Sequence, residues 1–343
     1  MLASEQGRKY RVGKMVAKGG MGAILSVRDL NLRRRIAMKV MLDPSKAATP
    51  QVLRFVEEAQ VTGQLEHPGI VPVYEVGKRA DGSLYYTMKL VRGKTLADKI
   101  AECKTLPDRL KLLPHFLDLC QAIAYAHSKG VIHRDIKPQN VMVGEFGETV
   151  VLDWGLAKVR GMKDEKAREI EKEIELLKGV KDGETVDGAP IGTPAYMAPE
   201  QCQGQPVDGR TDIYALGIVL YQLVAGELPF AVSTLPEALQ AHTRRAPTPP
   251  RLLVADLPSE VEQIVLTALA KDPAQRYQSG EALRDALAEL RKRLAGRRQD
   301  TPTAQGRRAS AAWLTQAEAS PAPRVDALPT PPSGAETGPR IAI

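Results

Sequence analysis

Residues 131–140 read VIHRDIKPQN: two β-branched apolar residues run straight into an acid, two bases, a histidine and two carboxamides. Packing rarely accounts for so dense a polar group beside a buried run, because each polar atom must find a partner. Pro138 fixes one backbone angle and stiffens the turn. Asp135 and Lys137 lie two apart, and Asn140 follows five after the acid. Each supplies a distinct chemistry. An acid accepts a proton from a hydroxyl, a lysine offsets charge on a transferring phosphoryl group, and an amide oxygen ligates a hard metal.

The flanking sequence carries further polar residues set in apolar runs. Downstream, VVLDWG (150–155) places Asp153 after three apolar residues and before Trp154 and Gly155. Upstream, residues 10–27 alternate and contain the glycine cluster VAKGGMGAI, followed by the strand-like RIAMKVM, which ends near Asp43 and Pro44. Two strands joined through glycines let backbone amides approach a polyphosphate closely. Lys39 sits in that second strand between apolar neighbours, where a lysine needs a partner. Residues 51–65 read as a helix with Leu53, Val56 and Gln60 along one face and Glu58 close to it.

Further along, residues 70–75 and 84–91 read as a hairpin around the turn signal Asp81-Gly82. Residues 106–129 turn helical, with Leu113, Phe116, Leu117, Cys120, Ala124 and His127 on one face, where Cys120 and His127 read as core filling. Val141 to Val143 begin a short strand. A buried-type helix follows in 206–230, with Asp212 near its start in the position of an N-cap. Ser259 to Glu262 reads as a capping box opening another helix. The last helix uses Leu283, Leu287, Leu290 and Leu294 and dissolves at Arg297-Arg298.

HRDIKPQN resembles the catalytic loop of the protein kinases, H-R-D-x-x-x-x-N, at every fixed position. The glycine cluster is similar to G-x-G-x-x-G-x-V, with Gly19 and Gly22 as its second and third glycines. Ala17 replaces the first glycine and Ile24 the valine, and VVLDWG resembles the D-F-G site with Trp154 for Phe. GTPAYMAPE carries the A-P-E motif as Ala198-Pro199-Glu200. The resemblance is to bacterial Ser/Thr kinases of the eukaryotic type, over about residues 10–294.

That resemblance implies an α+β, bilobal fold, a small antiparallel sheet with one helix above a mainly helical lobe. The expected domain is 10–295, divided at 91/92, with a helical insertion at about 161–180 in the activation segment. ATP and Mg2+, or Mn2+ in its place, are the implied cofactors. Val16, Gly19, Gly20, Gly22, Ile24 and Ala37 would contact the nucleotide. Lys39 would hold the phosphates, paired with Glu58. Met88 would guard the adenine pocket, Lys89 to Val91 form its hinge, and Met142 its floor. Asp135 would be the catalytic base, Lys137 its electrostatic partner, and Asn140 and Asp153 the metal ligands. Thr193 would bridge Asp135 and Lys137, Asp212 tie down the catalytic loop, and Arg276 pair with Glu200. Trp154 would pack beneath the Glu58 helix, with the small Thr62 making room. Thr185 is the only hydroxyl residue between Asp153 and Gly192, and a phosphate there would pair with Arg134.

The implied activity is transfer of the ATP γ-phosphoryl group to Ser and Thr of protein substrates, with self-association during trans-autophosphorylation. Two alternatives stand beside it: a pseudokinase scaffold, from Ala17 and Trp154, and a small-molecule phosphotransferase of the same fold. The net charge of +7 raises the question of nucleic acid, but nine Lys and Arg against four Asp and Glu lie from Arg291 onward. The preceding 290 residues carry only +2, so no nucleic-acid partner is expected. Residues 296–343, rich in Pro, Ala, Thr and Ser, read as a disordered tail without membrane anchor. The three scattered cysteines suit a reducing cytoplasm.

Overall fold

A computed structural model describes residues 9–18, 22–42, 49–159, 194–232 and 234–300, without side-chain detail for 49–50 and 294–300. Its first part is a five-stranded sheet. Strands β1 (Tyr10–Lys18), β2 (Gly22–Asp29), β3 (Arg34–Met41), β4 (Val73–Lys78) and β5 (Leu84–Met88) are ordered β1-β2-β3-β5-β4, each pair antiparallel. Register decides what faces the site. Lys39 lies opposite Ile24 on β2 and Tyr86 on β5, and Ala37 lies opposite Met88. Because side chains alternate along a strand, these residues share one face of the sheet.

Helix α1 (Thr49–Gly63) packs on that sheet. Its buried residues are Phe55, Glu58, Ala59, Val61 and Thr62. The expected face through Leu53, Val56 and Gln60 is instead the outer one: Leu53 is 58% exposed, Gln60 is exposed and Val56 is half-buried. Phe55, the largest side chain of the helix, decides the rotation by packing on Tyr86 with ring centroids 5.3 Å apart. Glu58 turns inward with it.

Beyond Gly93 the chain becomes mainly helical. Gly93 has φ 142°, and a Cβ there would collide with the Val143 carbonyl, so the passage between the two parts needs glycine. Strands β6 (Gly93–Thr95), β8 (Val141–Gly144) and β9 (Thr149–Val151) form a small sheet under the first part. Helices α2 (Leu96–Glu102), α3 (Leu106–Leu110) and α4 (Leu113–Ser128) lead to the short strand β7 (Val131–Ile132), which pairs with β10 (Lys158–Val159). Then come α5 (Pro199–Gln203), α6 (Gly209–Ala225), α7 (Leu235–Arg244), α8 (Pro250–Leu253), α9 (Ser259–Ala268) and α10 (Gly280–Asp300).

α6 is buried along nearly its whole length, from Thr211 to Val224, and forms the centre of the helical core. Its N-cap is Asp208, whose carboxylate accepts the Arg210 N–H, so Asp212 is free of capping duty. The capping box expected at Ser259 does not form, because Pro258 occupies the cap and Ser259 is the first helical residue. α10 continues to Asp300, past Arg297-Arg298, where the apolar pattern dissolves. The activation-segment insertion and the tail from 301 lie outside the described residues.

Candidate functional site

Between the two parts lies a cleft of about 510 Å³. Its walls include Val16, Gly22, Ile24, Ala37, Lys39 and Met88 from the sheet and Asn140, Met142 and Asp153 from below. Glu58 closes the inner end, and Lys89 and Val91 edge the connection. Thus every expected nucleotide contact within the described residues reaches one cavity. Gly19 and Gly20 lie outside those residues, as do Thr185 and Thr193.

Alternation on β3 aims Lys39 into the cleft, and the rotation of α1 brings Glu58 to meet it. Lys39 Nζ donates to Glu58 Oε1 at 2.6 Å and stands 3.8 Å from Asp153 Oδ1. Burial works to lower the lysine pKa, but the carboxylates of Glu58 and Asp153 outweigh it, and the pKa is raised. Tyr86, which the sequence reading did not single out, donates its hydroxyl to the same Glu58 oxygen at 2.6 Å. Burial, then the charge of Glu58, pushes that phenol well above its ordinary pKa, so it remains a donor. Its signal was available: Tyr86 precedes Met88 by two on a strand and must share its face.

Asp153 has φ 56°, a left-handed conformation unusual outside glycine. The turn leaves its carboxylate half exposed at the cleft while Trp154 is 1% exposed. Trp154 lies against His133 with ring centroids 4.5 Å apart, and it shares the inner cleft wall with Thr62. Thr62 itself donates to the Glu58 carbonyl at 2.6 Å. Gly155 permits the approach of this turn to α1, since a Cβ there would come within 3.2 Å of Glu58 Oε2.

Asp135 and Lys137 stand beside the cavity, and Asn140 connects them to it. Lys137 Nζ donates to Asp135 Oδ2 at 2.8 Å. The Asn140 amide group donates to the Asp135 carbonyl at 2.9 Å and to its Oδ2 at 3.0 Å. Those bonds occupy the nitrogen and leave the amide oxygen of Asn140 as an acceptor. With the Asp153 carboxylate it offers two hard oxygen donors, which suits a cation that keeps water and phosphate ligands. Among the described residues no cluster of three or more His, Cys, Asp or Glu could hold a metal by itself.

The loop's backbone is held from below. Asp212, fully buried in α6, accepts the N–H groups of His133 and Arg134, each at 2.8 Å. Its Oδ2 also lies 2.7 Å from His127 Nε2, so His127 is a hydrogen-bonding partner here, beyond the core filling expected of it. Burial alone would raise the Asp212 pKa; bonds and charges from His127 and His133 outweigh it and the carboxyl is lowered. Arg134 takes φ 68°, is buried, and donates Nε–H to the Leu156 carbonyl at 2.6 Å. The Glu200–Arg276 pair is bidentate, both contacts at 2.8 Å, and fully enclosed.

The description Protein kinase domain matches residues 10–287. The chain is similar to serine/threonine-protein kinase PknD of Chlamydia abortus, 35% identical over 305 residues, which are 85% of this chain and 32% of that protein. PknD of Protochlamydia amoebophila is 38% identical over 288 residues, 80% of this chain and 29% of its own. PknB of Mycolicibacterium smegmatis is 35% identical over 285 residues, 82% and 43%. The chain spans about a third of the length of the first of these relatives.

Proposed function

The chain belongs to the protein kinase domain family, and we propose that it transfers the γ-phosphoryl group of ATP to serine and threonine hydroxyls of proteins. The observation that carries this reading is the convergence of Lys39, Glu58, Asn140 and Asp153 on one cleft, with Asp135 and Lys137 hydrogen-bonded at its edge.

In this reading the adenine lies between Ala37 and Met142, near the backbone of Lys89 to Val91, and Lys39 orients the phosphates. Glu58 fixes Lys39, and Tyr86 fixes Glu58. Asp135 orients the acceptor hydroxyl and takes its proton, while Lys137 offsets charge on the group in flight. Asn140 and Asp153 would hold magnesium, which neutralises phosphate charge when bound. Positioning and preorganised charge carry the rate, since phosphoryl transfer asks little covalent chemistry of the protein.

The presence of every charged group weighs against a pseudokinase scaffold. The Glu200–Arg276 tie beneath Ala198 supports a platform for protein rather than small-molecule acceptors. We place Thr185 as the autophosphorylation site, its phosphate pairing with Arg134 in a charge-assisted bond. Mass spectrometry after incubation with ATP and magnesium should find phosphate there; an active chain unmodified at Thr185 contradicts that placement. No helix among the described residues is long and apolar enough to cross a membrane. Cys103, Cys120 and Cys202 are all free thiols, which supports a reducing, cytoplasmic setting.

The test is labelled ATP with magnesium and a generic basic protein, run beside Asp153→Asn. Label should enter serine and threonine with the wild-type chain and be lost with the variant. Equal labelling by both contradicts the reading.

A further inference from the structure

A second cavity, of about 610 Å³, opens where the chain leaves α1 and returns to β4. Its volume lies in the ordinary range for small-molecule sites, roughly 300–1,000 Å³. Leu65, Ile70, Pro72 and Val73 supply apolar walls from this stretch, and Val150 supplies one from β9. Backbone bonds tie the frame together. Val151 donates to the Gly69 carbonyl at 2.8 Å, Val71 to the Val151 carbonyl at 3.2 Å, and Lys89 to the Pro72 carbonyl at 3.1 Å. Thr62 and Lys89 line both this cavity and the nucleotide cleft, so the two have a wall in common.

Charges of both signs line it: Glu66, Lys89 and Glu148. They do not cancel one another. Among the described residues neither the Lys89 ammonium nor the Glu66 carboxylate has a hydrogen-bond or ion-pair partner. Glu148 is held in place, its Oε2 accepting the Phe146 N–H at 3.2 Å. Gly144 makes room for it, since a Cβ there would collide with the Glu148 carboxylate. His67 adds a neutral donor. Its Nδ1 accepts the Gly69 N–H at 3.0 Å, and burial lowers its pKa, so the ring carries its one hydrogen on Nε2.

Uncancelled charges of both signs beside apolar walls define their own complement. A simple amine would suit the two carboxylates and meet like charge at Lys89. A simple carboxylic acid would suit Lys89 and meet like charge at Glu66 and Glu148. A small zwitterion answers both, through charge-assisted hydrogen bonds at each end. The apolar walls then ask for a hydrocarbon side chain on the same molecule, whose burial adds to the affinity.

We propose that this second cavity binds a free apolar α-amino acid of the size of leucine. Glu66 and Glu148 take its ammonium, Lys89 and the His67 Nε2–H take its carboxylate, and Leu65, Ile70 and Val150 cover its side chain. The inference goes beyond the kinase reading. Binding is read without phosphate transfer, so the two stand or fall separately.

Calorimetric titration of the full chain with L-leucine tests it. Leucine should bind at one site with Kd below about 1 mM, with or without saturating ADP. N-acetyl-leucine lacks the ammonium and leucinamide the carboxylate; each should bind at least about tenfold more weakly, the weight of one charge-assisted hydrogen bond. Glycine, which lacks the side chain, should be weaker by a similar factor. Glu148→Gln keeps an acceptor for the Phe146 N–H and removes the charge, and should weaken leucine about tenfold. Glu66→Gln, at an exposed position where folding is not at stake, should do the same. Methyl NMR should show leucine shifting Ile70 and Val150. Absence of leucine binding, equal binding of leucinamide or N-acetyl-leucine, or unchanged affinity in both variants overturns the proposal. Loss of leucine binding on adding ADP would place it in the nucleotide cleft and overturns it too.

Discussion

Lys39 keeps its charge inside the cleft because two carboxylates surround it. Glu58 is 2.6 Å away and Asp153 3.8 Å away, and together they outweigh desolvation. Replacing it by methionine preserves length and apolar stem, so the fold should survive. Phosphate transfer should fall by at least a hundredfold, because the phosphates lose their anchor. Activity within a few-fold of wild type, about 1 kcal/mol on the barrier, would contradict the role of Lys39. At this scale the sequence was most readable for charged residues set in apolar runs: Lys39, Glu58 and Asp153 all reach the cleft. It was silent about backbone shape. Nothing in the letters RD or DW announces that Arg134 and Asp153 adopt φ 68° and 56°. Such conformations persist only where surrounding contacts over-determine them, and for Arg134 those contacts come from Asp212, distant in sequence.

Elements show where local pattern loses to packing. The α1 face was misread because Leu53, Val56 and Gln60 do share a helical face, and the pattern cannot say which face meets the sheet. The ring of Phe55 on Tyr86 makes that choice. The box expected at Ser259 failed for a similar reason, with Pro258 already in the cap position. The Glu200–Arg276 tie, by contrast, joins α5 to the segment before α10 as expected. Both side chains are almost wholly buried, so Arg276→Met should leave Glu200 charged and unpaired and cost about 3–5 kcal/mol in denaturant unfolding. A loss under about 1 kcal/mol would show that the pair is not enclosed. His242 gives α7 a pH signature. Its folded pKa, about 3, lies below the ordinary 6.5, so the unfolded chain binds the proton more readily. The contribution is fully present above pH 6.5 and shrinks as pH falls toward 3. Between pH 6.5 and 5 the wild type should lose about 2 kcal/mol more than His242→Gln. Parallel pH profiles for the two would contradict this.

For the molecule as a whole, the division into sheet and helical parts was legible, because glycine-linked alternation gives way to long apolar helical patterns. The cleft between them was legible only through resemblance: its shape depends on the β3–β5 register and on Gly93, which no local pattern reports. Residues 301–343, rich in proline and alanine, lack the apolar content to form a core of their own. Deleting them should move the melting temperature by no more than about 2 °C and leave the catalytic rate intact. A larger fall would mean that they dock on the kinase domain. The central claim is that the groups around the cleft transfer phosphate and that Asp135 directs the acceptor. Its most direct measurement is single-turnover transfer from bound ATP, wild type against Asp135→Asn, with nucleotide affinity followed in parallel. Affinity should hold within about threefold while the transfer rate falls about 10²–10⁴-fold, the range for losing a positioned base. Transfer at a comparable rate in the variant would contradict the account.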